Sequence, residues 1–124
     1  MTILIADDSD FIRANLKKLL NTVTGVDEIS EAFDVPDAVK KIAELKPDIL
    51  ILDIRMPGGN GFDVLKTAKE GKPSPLTIML TNYNYEHYRK KSYKDGADYF
   101  FDKSTEFEKI IDVLEKYHDN DLVK

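Results

Sequence analysis

Asp48-Ile49-Leu50-Ile51-Leu52-Asp53 sets four apolar residues between two carboxylates, and the chain continues Ile54-Arg55-Met56-Pro57-Gly58-Gly59-Asn60-Gly61. An Ile/Leu run without polar alternation marks a strand buried on both faces, as in a parallel sheet. Asp53 therefore stands where the strand leaves the core, and the glycines behind it announce a turn. Ligands of open α/β sheets gather at the carboxyl ends of strands. A carboxylate at such a tip is a candidate nucleophile.

Working outward, Ile3-Leu4-Ile5-Ala6 is a second buried run, and it ends in Asp7-Asp8. Ile12, Leu16, Leu19 and Leu20 then recur at helical spacing. Residues 27–33 form a more polar strand suited to a sheet edge. Asp34 caps a helix that turns Val35, Ala38, Val39, Ile42 and Leu45 inward and stops at Pro47. After Asp53 the Gly-rich turn leads to a helix with Phe62, Leu65 and Ala68 on its inner face, and Pro73 and Pro75 punctuate its exit. A fourth strand is expected over 76–80, a helix over 85–94, a fifth strand over 97–101 and a last helix over 105–117, with Thr105 and Glu108 at capping-box spacing and a short polar tail behind. Strands alternating with helices predict a three-layer α/β fold. Its five-stranded parallel sheet is doubly wound, of flavodoxin-like order 2-1-3-4-5, with right-handed crossovers.

Composition narrows the classes. The 124 residues, 42% of them apolar, suffice for one domain over 1–124. The net charge of -5 is spread over mixed residues without a Lys/Arg stripe, which argues against direct nucleic-acid binding. There is no cysteine, hence neither a disulfide framework nor a thiolate metal site. The start Met1-Thr2-Ile3-Leu4-Ile5-Ala6-Asp7 lacks the pattern of a signal peptide, and no segment has the length of a membrane span, so a cytoplasmic location without membrane association is expected.

The 2-1-3-4-5 order places its switch point between the first and third strands, where Asp7, Asp8 and Asp53 would meet. Three close carboxylates raise one another's pKa and ask for a cation. With only oxygen ligands at hand, Mg²⁺ is the expected ion. The fourth strand ends at Thr81 and the fifth near Lys103, which adds a hydroxyl and an ammonium to the same edge. An aspartate can accept a phosphoryl group. The rest of that reaction is positioning and charge stabilisation, which a metal ion and a lysine supply.

This set resembles the receiver domain of two-component response regulators, from Thr2 to about Tyr117. The resemblance implies that Asp53 is the phosphorylated residue and that Asp8 binds Mg²⁺ directly and Asp7 through water. It implies a metal-ligating main-chain carbonyl at Arg55, a signature in Met56-Pro57 with Gly61, and a phosphoryl-bonding hydroxyl at Thr81. Lys103, preceded by Gly96-Ala97, matches the phosphate-binding lysine, and Phe100 the switch aromatic that turns inward when Thr81 moves. A histidine kinase or phosphotransfer protein would donate the phosphoryl group, and the domain would catalyse its own phosphorylation and hydrolysis. An effector protein would read a changed surface around the fourth helix, fifth strand and fifth helix. The chain is expected to act as a stand-alone receiver, and the resemblance admits a phosphorylation-dependent homodimer.

The match has departures. The family's lysine is usually followed by a cis-proline, and here Ser104 follows; Asn82 replaces the small residue common after the threonine. The resemblance implies that Arg55 and Tyr83 occupy positions that tune hydrolysis in the family, and their bulk predicts a long-lived acyl phosphate. Phe11 lies off the Ile12/Leu16/Leu19 stripe and is expected to be exposed, and His87 and His118 read as solvated surface residues. Three rival readings have weaker footing. An aspartyl phosphohydrolase would place a second Asp where Arg55 stands. A flavin or nucleotide carrier would need a phosphate cradle where Asp7-Asp8 repels one. A phosphorylation-independent interaction module would have no use for all five residues at the strand tips.

Overall fold

Alternate residues of each sheet strand point to opposite faces, and here the two apolar sets meet different helices. The computed structural model describes the backbone of residues 1–123 and the side chains of residues 1–120. The elements run β1 (Thr2–Ala6), α1 (Asp10–Leu20), β2 (Glu28–Ala32), α2 (Val35–Leu45), β3 (Ile49–Leu52), β4 (Arg55–Met56), β5 (Gly59–Asn60), α3 (Gly61–Glu70), β6 (Leu76–Thr81), α4 (Glu86–Lys94), β7 (Tyr99–Asp102) and α5 (Lys109–Val123). The main sheet is parallel with order β2-β1-β3-β6-β7, which is the expected 2-1-3-4-5 with β2 at one edge. The glycine turn after Asp53 carries a two-stranded antiparallel hairpin, β4 with β5.

Ile3, Ile5, Ile49, Ile51, Ile78 and Leu80 face α1 and α5, where they meet Leu16, Leu20, Ile110 and Leu114. Leu4, Ala6, Leu50, Leu52, Met79 and Phe100 face the other layer and meet Ala38, Ile42, Leu65 and Ala68. Each fully buried Leu or Ile contributes roughly 1.5–3 kcal/mol, so register is strongly specified. A one-residue slip of β3 would exchange its two helix layers.

The helix starts follow local chemistry. Ser9 accepts from the Ile12 amide at 3.2 Å and caps α1. Asp34 accepts from the Asp37 amide at 2.8 Å, as its position before Val35-Pro36 predicts. Asn60 and Asp63 form a capping box on α3. Several expectations need correction. Leu45 does not turn inward but is 42% exposed, because it lies in the last turn before the left-handed cap at Lys46. Thr105 and Glu108 form no capping box; residues 103–108 are turns, α5 begins at Lys109, and it continues past Tyr117 to Val123, where a polar tail was expected. His118 is half-buried against Gly25, and the exposed His87 stacks on Tyr85 with ring centroids 5.7 Å apart. Among the described residues no helix is long and apolar enough to cross a membrane.

Candidate functional site

The carboxyl ends of β1 and β3 bring Asp7 and Asp53 side by side. Each strand is held one residue further by a sheet bond, Asp7 N–H to Ala32 at 3.0 Å and Asp53 N–H to Ala6 at 3.0 Å. Their carboxylates thus emerge at one level. Asp7 is 2% exposed and Asp53 6%, whereas Asp8 is open to solvent. One carboxylate oxygen from each of the three lies within 4.8 Å of the others.

Lys103 enters this cluster from the turn after β7. Its Nζ lies 2.6 Å from Asp7 Oδ2 and 2.8 Å from Asp53 Oδ2, with its side chain almost fully buried. The remaining oxygens are also engaged. Asp53 Oδ1 accepts from the Ile54 amide at 2.7 Å, and Asp7 Oδ1 from the Ser9 amide at 2.9 Å. Burial raises the Asp53 pKa, and the neighbouring Asp7 charge adds to that; the bond to Lys103 works the other way. Burial would lower the Lys103 pKa, but the two carboxylates outweigh it, so the ammonium is held in its charged form.

Gly61 shows how closely the turn folds back. A Cβ there would lie 2.1 Å from the Asp53 carbonyl oxygen and 2.8 Å from Ile54 Cα. Only glycine admits that approach, and it lets the β4–β5 hairpin close behind Asp53.

Thr81, fully buried, ends β6. Its hydroxyl accepts from the Tyr83 amide at 3.1 Å, and its carbonyl accepts from the Lys103 amide at 3.0 Å. The structure therefore joins Asp7, Asp8, Asp53 and Lys103 directly, with Thr81 one sheet bond away. Arg55 and Tyr83 meet each other: the guanidinium sits 4.1 Å from the Tyr83 ring centroid. Phe100 lies inward, 1% exposed, with Arg89 4.7 Å over its ring. Phe11 is 73% exposed, as its place off the apolar stripe predicts. The Lys103–Ser104 bond is trans; the one cis peptide among the described residues is Lys72–Pro73.

Two supporting groups are missing from the sequence reading. Arg13 donates to the Asp7 carbonyl at 2.6 Å and pairs with Glu31 at 3.2 Å and with Asp10, bracing the acidic turn from behind. Its helical spacing from Asp10 is visible in the sequence, but its reach to β2 is not. Asp102, also buried, holds the turn after Lys103. The Asp-x-Ser pattern at 102–104 is the local signal that could have found it.

A parallel sheet of this order, with an acidic cluster and a lysine at its switch point, defines the receiver class of two-component signalling proteins. The comparisons agree. The family described as response regulator receiver domain matches residues 3–115, and the chain belongs to that family. It is 27% identical to response regulator protein VraR of Staphylococcus saprophyticus, over 98% of this chain and 58% of that protein. It is 34% identical to sensory transduction protein LytT of Bacillus anthracis, over 94% of this chain and 47% of that protein. The chain thus spans about half the length of these relatives, 47% to 58%. Among solved structures, the response regulator domain of Thermotoga maritima CheB superposes with a TM-score of 0.82 at 31% identity, over 96% of this chain and 94% of that one. A CheY-like receiver domain protein from Methanospirillum hungatei gives 0.85 at 25% identity, over 96% and 94%.

Proposed function

We propose that this receiver takes a phosphoryl group on Asp53 from a histidine kinase or phosphotransfer protein and changes its surface for an effector protein. The observation that carries the reading is the grip of Lys103 on both Asp7 and Asp53, 2.6 and 2.8 Å away at the strand tips. In the transfer, an Asp53 oxygen attacks the phosphorus of a phosphohistidine. The phosphorus–nitrogen bond breaks, the imidazole nitrogen keeps the bonding pair, and the product is an acyl phosphate. Lys103 remains cationic and faces the phosphoryl oxygens, and Thr81 turns its hydroxyl from the Tyr83 amide toward them. No general base is required, because Asp53 attacks as the carboxylate.

The donor set fits a divalent cation. Three hard oxygen donors within 4.8 Å, without nitrogen or sulfur, favour Mg²⁺. Asp8, Asp53 and the Arg55 carbonyl would hold it, with Asp7 acting through water. When bound, the ion neutralises charge on the phosphoryl oxygens. The same constellation supports self-phosphorylation from small donors and slow self-hydrolysis. Phe100 and Thr81 form the switch. The inward Phe100, its ring covered by Arg89, is one of two populations that phosphorylation biases.

Intact mass after incubation with acetyl phosphate and Mg²⁺ tests the assignment. A phosphoryl adduct on the wild type and none on Asp53→Asn is the expected result. An adduct of equal occupancy on both would remove Asp53 as the acceptor.

A further inference from the structure

A lysine has several rotatable bonds, so holding Lys103 in the cluster depends on a fixed backbone beneath it. That backbone is fixed by a third buried carboxylate, one that does not touch the reacting groups. Asp102, 7% exposed, ends β7. Its Oδ1 accepts from the Ser104 amide at 2.7 Å and from the Ser104 hydroxyl, which closes the turn around Lys103. Its Oδ2 accepts from Asn84 Nδ2 at 2.7 Å, in the loop between β6 and α4. The Asp102 amide donates to Glu106 Oε1 at 3.1 Å, and its carbonyl accepts from the Glu106 amide at 2.9 Å.

The loop that holds Asn84 starts at Thr81, whose carbonyl accepts from the Lys103 amide at 3.0 Å. Lys103 is therefore bracketed, by Thr81 on one side and by the Asp102–Ser104 turn on the other. An Asp-x-Ser turn alone is ordinary local structure. The bond to Asn84, eighteen residues away in sequence, makes it a strut between two loops. The Ser104 hydroxyl and amide, then Asn84, hold the Asp102 pKa below the usual carboxylate value.

We propose that Asp102 is a positioning residue for the phosphoacceptor site: its carboxylate, clamped between Asn84 and Ser104, sets the turn from which Lys103 reaches Asp53 and Asp7. The inference rests on the phosphoacceptor reading of Asp53. It extends that reading to a group on the far side of the lysine. The strut also ties the position of Lys103 to the loop that carries Tyr83.

The test titrates beryllofluoride with Mg²⁺ against four proteins: wild type, Asp102→Ala, Asp102→Asn, and the double variant Asn84→Asp with Asp102→Asn. Asp102→Ala is expected to bind about tenfold more weakly, the scale of a lost charge-assisted hydrogen bond. Asp102→Asn loses the charge but keeps an oxygen for Ser104, and Asn84 can turn its own oxygen to the new NH2, so binding should weaken less than in Asp102→Ala. The double variant exchanges donor and acceptor and keeps an oxygen for Ser104, so it should return to within about twofold of wild type. Wild-type affinity in Asp102→Ala, with the Ser104 amide exchanging faster, would overturn the proposal. So would an unmoved Lys103 side-chain ¹⁵N resonance in the ligand-free variant, a readout independent of phosphoryl chemistry. If Asp102→Ala does not fold, Asn84→Ala removes only the bond between the loops and decides by the same two readouts. A wild-type chain that binds no beryllofluoride overturns the phosphoacceptor reading itself, and the positioning role falls with it.

Discussion

Asp53 is buried beside Asp7, and the proposed attack on phosphorus requires its carboxylate form. Its raised pKa, set mainly by burial, means that the folded protein holds the Asp53 proton more tightly than the unfolded chain does. Stability from that group is therefore present at acid pH and lost as pH rises through the carboxylate range. Asp53→Asn removes this titration. It should be more stable than wild type at about pH 7, with the gap closing toward about pH 3. Urea denaturation at both pH values checks this, and a variant less stable at neutral pH would contradict it. Tyr83 supplies a second residue-scale expectation. With Arg55 stacked 4.1 Å from its ring, it is proposed to shield an acyl phosphate on Asp53 from water, and on that proposal Tyr83→Ala should shorten the acyl-phosphate lifetime several-fold. Equal decay by radiolabel chase would discard the shielding role. Asp7, Asp8, Asp53, Thr81 and Lys103 were legible in the chain because apolar runs stop where strands end. Arg13 and Asn84 were not, because their partners lie on other elements and no periodicity records a contact across a sheet edge; of Asp102 only the local Asp-x-Ser turn was open to reading, not its bond to Asn84.

Among the helices, α4 stands apart: only Ser92 is buried and no side chain caps its start. Polar and aromatic contacts hold it instead. Tyr93 accepts from the Phe100 amide at 3.1 Å, Arg89 donates to the Phe100 carbonyl at 3.4 Å, and Phe62 and Tyr88 meet with ring centroids 5.8 Å apart. The outer edge of β7 is thereby covered by side chains of α4, which blunts an edge strand. Tyr93→Phe keeps the ring and removes the acceptor. Hydrogen exchange at the Phe100 amide should then accelerate about tenfold, the scale of one hydrogen bond, while β1 and β3 amides stay protected. Unchanged exchange at Phe100 would mean that the contact does not protect the edge. The sequence gives the helical pattern of 86–94 but not this dependence, since a helix with so few buried residues has almost no apolar stripe to read. The start of α5 was hidden for a different reason. Thr105 and Glu108 have capping-box spacing, yet Asp102 and Glu106 exchange bonds across residues 103–105 and delay the helix to Lys109.

Over the whole molecule, a net charge of -5 is combined with three carboxylates gathered at one end of the sheet. Lys103 pairs with two of them, and Asp8 remains solvent-facing. Folding therefore assembles a concentrated negative site that the unfolded chain lacks, and a cation bound there should stabilise the native state by mass action. At a concentration one hundred times its Kd, a ligand of the folded state adds about 2.7 kcal/mol. Mg²⁺ should thus raise the melting temperature of the wild type, and Asp8→Asn should lose most of that gain because its ligand oxygen is replaced by a weakly coordinating amide. General screening of a -5 chain would also stabilise it, so the comparison requires NaCl at matched ionic strength. A specific site predicts a Mg²⁺ shift that saturates at millimolar metal, exceeds the NaCl shift, and vanishes as pH falls and the carboxylates protonate. An NaCl shift equal to that of Mg²⁺ would assign the effect to screening and leave the acidic cluster without a metal role.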